Sequence, residues 1–135
     1  MKKTIYFFTI LLITLSSCSS DNDSSLNSKI LINPPNWIQG KWLLEGGSAV
    51  GESGWSFTNN DFIIILANTE MSQRELFESL LNNGGEVSTS DVSTENSYSV
   101  TLNSPQGITV IYSFTKVSNT KITWDRISNS IYNKQ

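Results

Sequence analysis

The chain has 135 residues, with 12 acidic and nine basic side chains and a formal net charge of −3. It contains no histidine and one cysteine, which excludes a disulfide or thiolate metal site within one chain, histidine-ligated zinc, and Ser-His-Asp or Cys-His catalysis. The acidic balance argues against nucleic acid as a partner. No metal and no cofactor is expected.

The first element in chain order is a secretory leader. Lys2 and Lys3 precede a short apolar run over residues 5–15, which is too short for a stable membrane span. The run ends in Leu15-Ser16-Ser17-Cys18, which resembles the lipobox of bacterial lipoproteins. The resemblance implies that residues 1–17 are a signal peptide and that Cys18 becomes the first mature residue. It also implies lipid attachment at Cys18, with acyl chains such as palmitate.

Residues 18–36 are predicted to form a lipidated flexible tether, because most of this stretch is rich in serine, asparagine and aspartate. Asp21 and Asp23 resemble the acidic export tags that send some Gram-negative lipoproteins to the outer face of the outer membrane. The alternative is a plain linker. Pro34-Pro35 stiffens the approach to the fold. The expected location is the cell envelope, on the outer membrane, with either membrane face left open.

Residues 37–135 are predicted to form one β domain, because apolar side chains recur there with a period of two. Ile38, Trp42 and Leu44 share one face of the first candidate strand. Asn59-Asn60 predicts a tight hairpin that leads into the apolar run 62–66. Since that run is apolar on both faces, we expect it to be the most buried strand or to lie under the helix that follows.

One helix is predicted over residues 69–83. Ser72 and Glu75 match a capping box, and Gly84-Gly85 supplies the helix stop. The apolar stripe is expected to cover the core rather than bind a partner, and consists of Leu76, Phe77, Leu80 and Leu81.

After a polar stretch over 88–96, either a weak edge strand or a loop, alternation returns. Turns at 104–107 and 118–120 separate strands around 98–102, 108–115 and 122–126. Consecutive hairpins predict a mainly β antiparallel meander with one helix inserted mid-chain.

Two short motifs resemble the signature of lipocalin-like barrels: Gly40-Lys41-Trp42 in the first strand and Trp124-Asp125-Arg126 in the last long one. In that family an indole lies across the closed end of the barrel and an arginine stacks on it. The resemblance implies a short or partly open barrel with Trp42 and Arg126 as its structural pair. Arg126 also shares the parity of Ile122, and a planar cation over an indole gains about 0.5–2 kcal/mol.

Three classes of function follow. A non-catalytic carrier or sensor would bind a small apolar or amphipathic ligand in the barrel, with Trp37 and Trp55 as candidate ligand or rim aromatics. A surface binding or assembly module would dock an envelope protein or a glycan. An enzyme would need two cooperating carboxylates. The candidates Glu45, Glu52, Asp61 and Asp125 have the spacing of ordinary surface charges, so no catalytic residue is expected.

Overall fold

The computed structural model describes residues 30–47 and 49–135. The predicted signal peptide, Cys18 and the acidic residues Asp21 and Asp23 lie outside the described residues. Within the described ranges, no helix has both the length and the apolar character needed to cross a membrane.

The described chain forms one antiparallel sheet of nine strands with a single α-helix. The strands are β1 (Gly40–Leu44), β2 (Gly54–Phe57), β3 (Phe62–Leu66), β4 (Thr69–Ser72), β5 (Ser88–Ser93), β6 (Ser97–Ser104), β7 (Ile108–Lys116), β8 (Lys121–Trp124) and β9 (Ile131–Lys134). The helix α1 (Gln73–Asn82) lies between β4 and β5, and a 3₁₀ turn (Pro105–Gly107) joins β6 to β7.

The strand order is β4-β3-β2-β1-β9-β8-β7-β6-β5. Because β1 pairs with β9, the two halves of the meander join through the first and last strands, and the opening lies between β4 and β5. The result is a curled half-barrel, consistent with an open lipocalin-like barrel. The prediction of a mainly β meander with one inserted helix is confirmed.

The capping residues Ser72 and Gly84 match the sequence prediction, but the helix begins at Gln73, later than the predicted residue 69. Ser72 accepts a hydrogen bond from the Glu75 amide at 3.0 Å, and Gly84, at φ 79°, closes the last turn. Residues 69–72 form β4 instead of a first helical turn, because they complete a hairpin with β3. Of the apolar stripe, Phe77 is buried and Leu76 is exposed.

The packed body begins before residue 37, which corrects the predicted boundary of the tether. Ile32 is fully buried in the main core. The Thr89 hydroxyl donates to the Leu31 carbonyl at 2.8 Å, and the Asn33 amide donates to the Asp91 carboxylate. Two inward side chains of β5 therefore hold this segment alongside β5, at the opening between β4 and β5.

Residues 62–66 were expected either to be the most buried strand or to lie under the helix, and the structure shows the second arrangement. Helix α1 packs against β3, and only Phe62 and Ile65 of that strand are buried. The polar stretch that follows the helix contains β5, which is an edge strand as the first alternative proposed.

The two ends of the half-barrel differ in exposure. The inward series of β7 goes from fully buried at Phe114 to 57% exposed at Ile108. On β3 the facing series goes from fully buried at Phe62 to 58% exposed at Leu66. We call the end marked by Ile108 and Leu66 the open end. The opposite end is the closed end, where Ile38 is fully buried and its carbonyl accepts the Trp42 indole N–H at 2.6 Å.

Candidate binding site

The centre of the core is an aromatic cluster built around Trp55. Its ring centroid lies 5.0 Å from that of Trp124 and 5.2 Å from that of Phe114. Further contacts within 6 Å join it to Phe62, Tyr112 and Tyr132. Edge-to-face and offset contacts of this kind add to the free energy gained by burial. Trp55 was predicted as a ligand or rim aromatic. The structure buries it at the floor of the cavity described below rather than at the rim, because its neighbours on β3, β7, β8 and β9 converge on it.

A cavity of about 270 Å³ lies above this cluster, towards the open end. Its lining consists of Leu44, Ser53, Gly54, Trp55, Ile64, Ile65, Leu66, Tyr112, Trp124 and Tyr132. None of these residues is charged. At Gly54 a Cβ atom would lie 2.0 Å from the Trp42 carbonyl oxygen, so only glycine fits this part of the wall. The volume is just below the usual range of small-molecule sites.

The polar groups of the lining are neutral hydrogen-bond donors. Burial raises the pKa of both Tyr112 and Tyr132; nearby Arg126 opposes the rise at Tyr112, and Trp55 and Ser130 oppose it at Tyr132. Both hydroxyls therefore stay protonated at neutral pH. The indole N–H of Trp124 is buried without a hydrogen-bond partner in the described part of the chain, and that of Trp55 lies near the Tyr132 hydroxyl without reaching hydrogen-bond geometry. An unpaired buried donor costs about 1–3 kcal/mol.

The predicted pair of Trp42 and Arg126 is not formed. Arg126 is exposed and lies in the turn after β8, beside an outer hollow of about 230 Å³. The cation over the Trp42 ring is Lys134, whose Nζ lies 5.1 Å from the ring centroid. Strand register explains why Lys134 takes the position predicted for Arg126, because Lys134 on β9 lies directly opposite Trp42 on β1. The parity argument failed because β8 ends at Trp124, before Arg126.

Trp37 belongs to the closed end and does not line the cavity. Its indole N–H donates to the Thr94 carbonyl at 3.0 Å, and Lys116 Nζ lies 5.8 Å from its ring centroid. The segment that carries Trp37 is therefore fixed to the turn between β5 and β6. Of the two roles predicted for Trp37, ligand or rim aromatic, the structure has packing at the rim of the closed end, apart from the cavity lining.

The four carboxylates considered for catalysis lie apart from the cavity lining. Glu45 pairs with Lys121 at 3.4 Å and Glu52 with Lys41 at 2.8 Å. Asp61 accepts from the Arg74 amide at 3.0 Å and so caps the start of α1. Asp125 accepts from the Thr115 hydroxyl at 3.0 Å. Each of the four thus has a structural partner.

The sequence analysis did not single out Leu44, Ile64, Tyr112 and Tyr132 as site residues. These four residues share two properties: their side chains point into the half-barrel, and they lie in the parts of their strands nearest its open end. These properties become usable only once the order and register of the strands are known. Comparison of the chain with protein-family models, with curated proteins and with solved structures gives no match in any of the three.

Proposed function

We propose that the protein is a non-catalytic cell-envelope lipoprotein that binds a small apolar or amphipathic molecule in the cavity at the open end. The observation that carries the proposal is an apolar cavity of about 270 Å³ without a charged lining residue. Small-molecule sites combine such walls with a few polar groups that fix orientation. The ligand that fits is uncharged where it is buried.

The neutral donors of the lining define the polar part of this ligand. The hydroxyls of Tyr112 and Tyr132 are protonated at neutral pH, so each can donate to a carbonyl, ether or hydroxyl oxygen. The unpaired indole N–H groups are closed off from solvent. A small ring rotation that brought one of them to a ligand oxygen would remove an unpaired buried donor and add to affinity.

A binding test can use N-phenyl-1-naphthylamine, a neutral apolar fluorophore, with the purified protein. Leu66→Trp should narrow the mouth and weaken binding at least tenfold, because Leu66 lines the cavity and is 58% exposed. Val117→Trp is the matched control, since Val117 is 56% exposed and lies in the turn after β7 at the closed end.

Binding by the Val117 variant should equal that of the unchanged protein. Equal binding by all three proteins would show that the probe does not use this cavity. As an independent test, native mass spectrometry of protein purified from its own source should reveal a co-purifying small molecule of the same uncharged class. Absence of probe binding together with a bare mass contradicts the carrier function.

The second candidate is a surface module that docks an envelope protein or a glycan. The outer hollow beside Arg126 favours it, because this hollow combines the exposed side chain of Ile111 with an acid and a base, Asp125 and Arg126. Such a module would keep its partner after Leu66→Trp and lose it after Ile111→Ser.

Attachment to the membrane is proposed from the lipobox resemblance alone. Cys18→Ala should abolish acylation and leave an uncleaved or mis-sorted protein, as measured by intact mass and by detergent phase separation. Unchanged partitioning into the detergent phase would contradict the anchor. For surface exposure, proteinase added to intact cells should degrade the domain, and alanine at both Asp21 and Asp23 should protect it.

A further inference from the structure

Three exposed aliphatic side chains lie at the open end, and one of them, Leu66, also lines the cavity. We define the apolar rim as Leu66, Ile108 and Ile127, which are 58%, 57% and 52% exposed. They lie at the end of β3, at the start of β7 and in the turn between β8 and β9, so three separate connections bring them to the same end. Val50, 72% exposed, lies at the same end in the loop between β1 and β2, whereas the other exposed aliphatic residues of the described chain are spread over the helix, the outer strand faces and the closed end.

The described chain also begins towards the open end. Leu31 is held by Thr89, Asn33 by Asp91 and Trp37 by Thr94, so residues 31–37 run alongside β5 in its own direction. Strand β5 runs from the open end at Ser88 to the closed end at Ser93, as its pairing with β6 and β7 requires. Ile30 therefore lies in the half of the molecule nearest the mouth.

The length of chain before Ile30 limits the distance to the lipid. Residues 18–29 separate the predicted anchor from the described body, and a fully extended stretch of that length spans at most about 40 Å. An anchor at Cys18 thus keeps the bilayer within reach of the end where the chain enters. The same end carries the apolar rim.

The open end carries charges of both signs. Glu52 pairs with Lys41 at 2.8 Å and Glu45 with Lys121 at 3.4 Å, while Arg126 adjoins Ile127, and Glu86 and Asp125 are further exposed acids at this end. Contact with a zwitterionic lipid surface then depends on apolar area, which contributes about 25 cal/mol per Å² removed from water.

We propose that the apolar rim contacts the phospholipid bilayer in which Cys18 is anchored, so that the mouth of the cavity faces lipid. This inference rests on the proposed function, because it needs the lipid anchor. It extends that function by naming the source of the ligand. An apolar molecule would pass between the bilayer and the cavity without crossing open water.

The test uses the mature lipidated protein reconstituted in phosphatidylcholine vesicles that contain nitroxide-labelled acyl chains. Ile127→Cys and Val117→Cys each carry a nitrobenzoxadiazole fluorophore attached through maleimide. The sulfur of Cys18 is held in a thioether after lipidation, so only the new cysteine reacts. The two sites have similar exposure and lie at opposite ends.

The fluorophore at residue 127 should shift to the blue and be quenched at least threefold more than the one at residue 117. Equal quenching at both sites, with intact mass confirming the acyl chains, overturns the inference and leaves the proposed function intact. A mass without acyl chains overturns the anchor and this inference together. Shielding of residue 127 on cells but not on pure vesicles assigns the rim to a protein and also overturns the inference.

Discussion

The closed end and the open end of this half-barrel treat the same kinds of side chain in different ways. At the closed end the indole of Trp42 is fully buried, donates to the Ile38 carbonyl and lies under Lys134. At the open end the indole of Trp124 is buried at its nitrogen without a partner. Tryptophan at one end completes the fold, and at the other it forms the floor of a cavity.

The difference separates the contacts that stabilise the fold from those that form the cavity within one small sheet. At the closed end the indole N–H groups of Trp37 and Trp42 both donate to backbone carbonyls, which stabilises the folded state. The open end keeps unpaired donors and exposed aliphatic side chains, which cost free energy without a ligand or a surface to cover them. Substitutions at the closed end should therefore change the free energy of unfolding, whereas substitutions at the open end should change ligand binding.

The largest expected effect is that of Ile38→Ala, which removes a fully buried side chain at the closed end. Loss of a buried isoleucine to alanine costs about 2–5 kcal/mol, to be measured by urea unfolding. Leu66→Ala, at the exposed rim, should change the free energy of unfolding by less than about 0.5 kcal/mol. Similar losses from both variants would contradict the division between the ends.

A smaller effect should appear at alkaline pH through Tyr98, whose hydroxyl donates to Asp91 at 3.3 Å. Burial, with the nearby Asp91 charge, raises the pKa of Tyr98 far above its usual value of 10.0. Above about pH 10 the unfolded chain loses a proton that the folded chain keeps, so stability that is present at lower pH falls as pH rises.

Tyr98→Phe should flatten this alkaline decline and cost about 1 kcal/mol at neutral pH through the lost hydrogen bond. Tyr132→Phe, nearer the mouth, is the control and should flatten the decline less. The measurement is urea unfolding at several pH values between 7 and about 11. An unchanged decline in the Tyr98 variant would show that its phenol is not shielded as described.

The smallest expected effect distinguishes Lys134 from Arg126. Lys134→Met should cost about 0.5–1 kcal/mol, because it removes the cation over Trp42. Arg126→Met should cost almost nothing, since that side chain is exposed. In double-mutant cycles with Trp42→Phe, coupling is expected for Lys134 and none for Arg126. The reverse result would restore the pair that the sequence predicted.

Local patterns were enough to predict much of the fold. Period-two alternation predicted the strands, Asn59-Asn60 predicted a hairpin, and Ser72 and Gly84 were identified as the helix cap and the helix stop. These signals work because they depend on neighbours only a few residues away. The start of the helix was wrong because pairing of residues 69–72 with β3 decided it, and that pairing is tertiary.

The site depended on contacts that are distant in sequence. Ile32 is buried because Thr89 and Asp91 hold its neighbours, and nothing near residue 32 announces this. Lys134 lies over Trp42 because the last strand pairs with the first. The floor position of Trp55 likewise follows from the strands that surround it. Alternation along one strand predicts which face of the sheet a side chain occupies. It does not predict which residues of other strands that side chain contacts.

The segment that runs along the opening between β4 and β5 also has a mechanical consequence. Tension from the N-terminal side reaches the body at residues 31–33, which are held by side-chain hydrogen bonds from Thr89 and Asp91 and by the burial of Ile32. These contacts lie in series with the pulled chain, whereas the ladders of the sheet lie beyond them. When the molecule is pulled from its N-terminal side, we expect residues 31–33 to detach from β5 first, while the hydrogen bonds between the strands of the sheet remain intact.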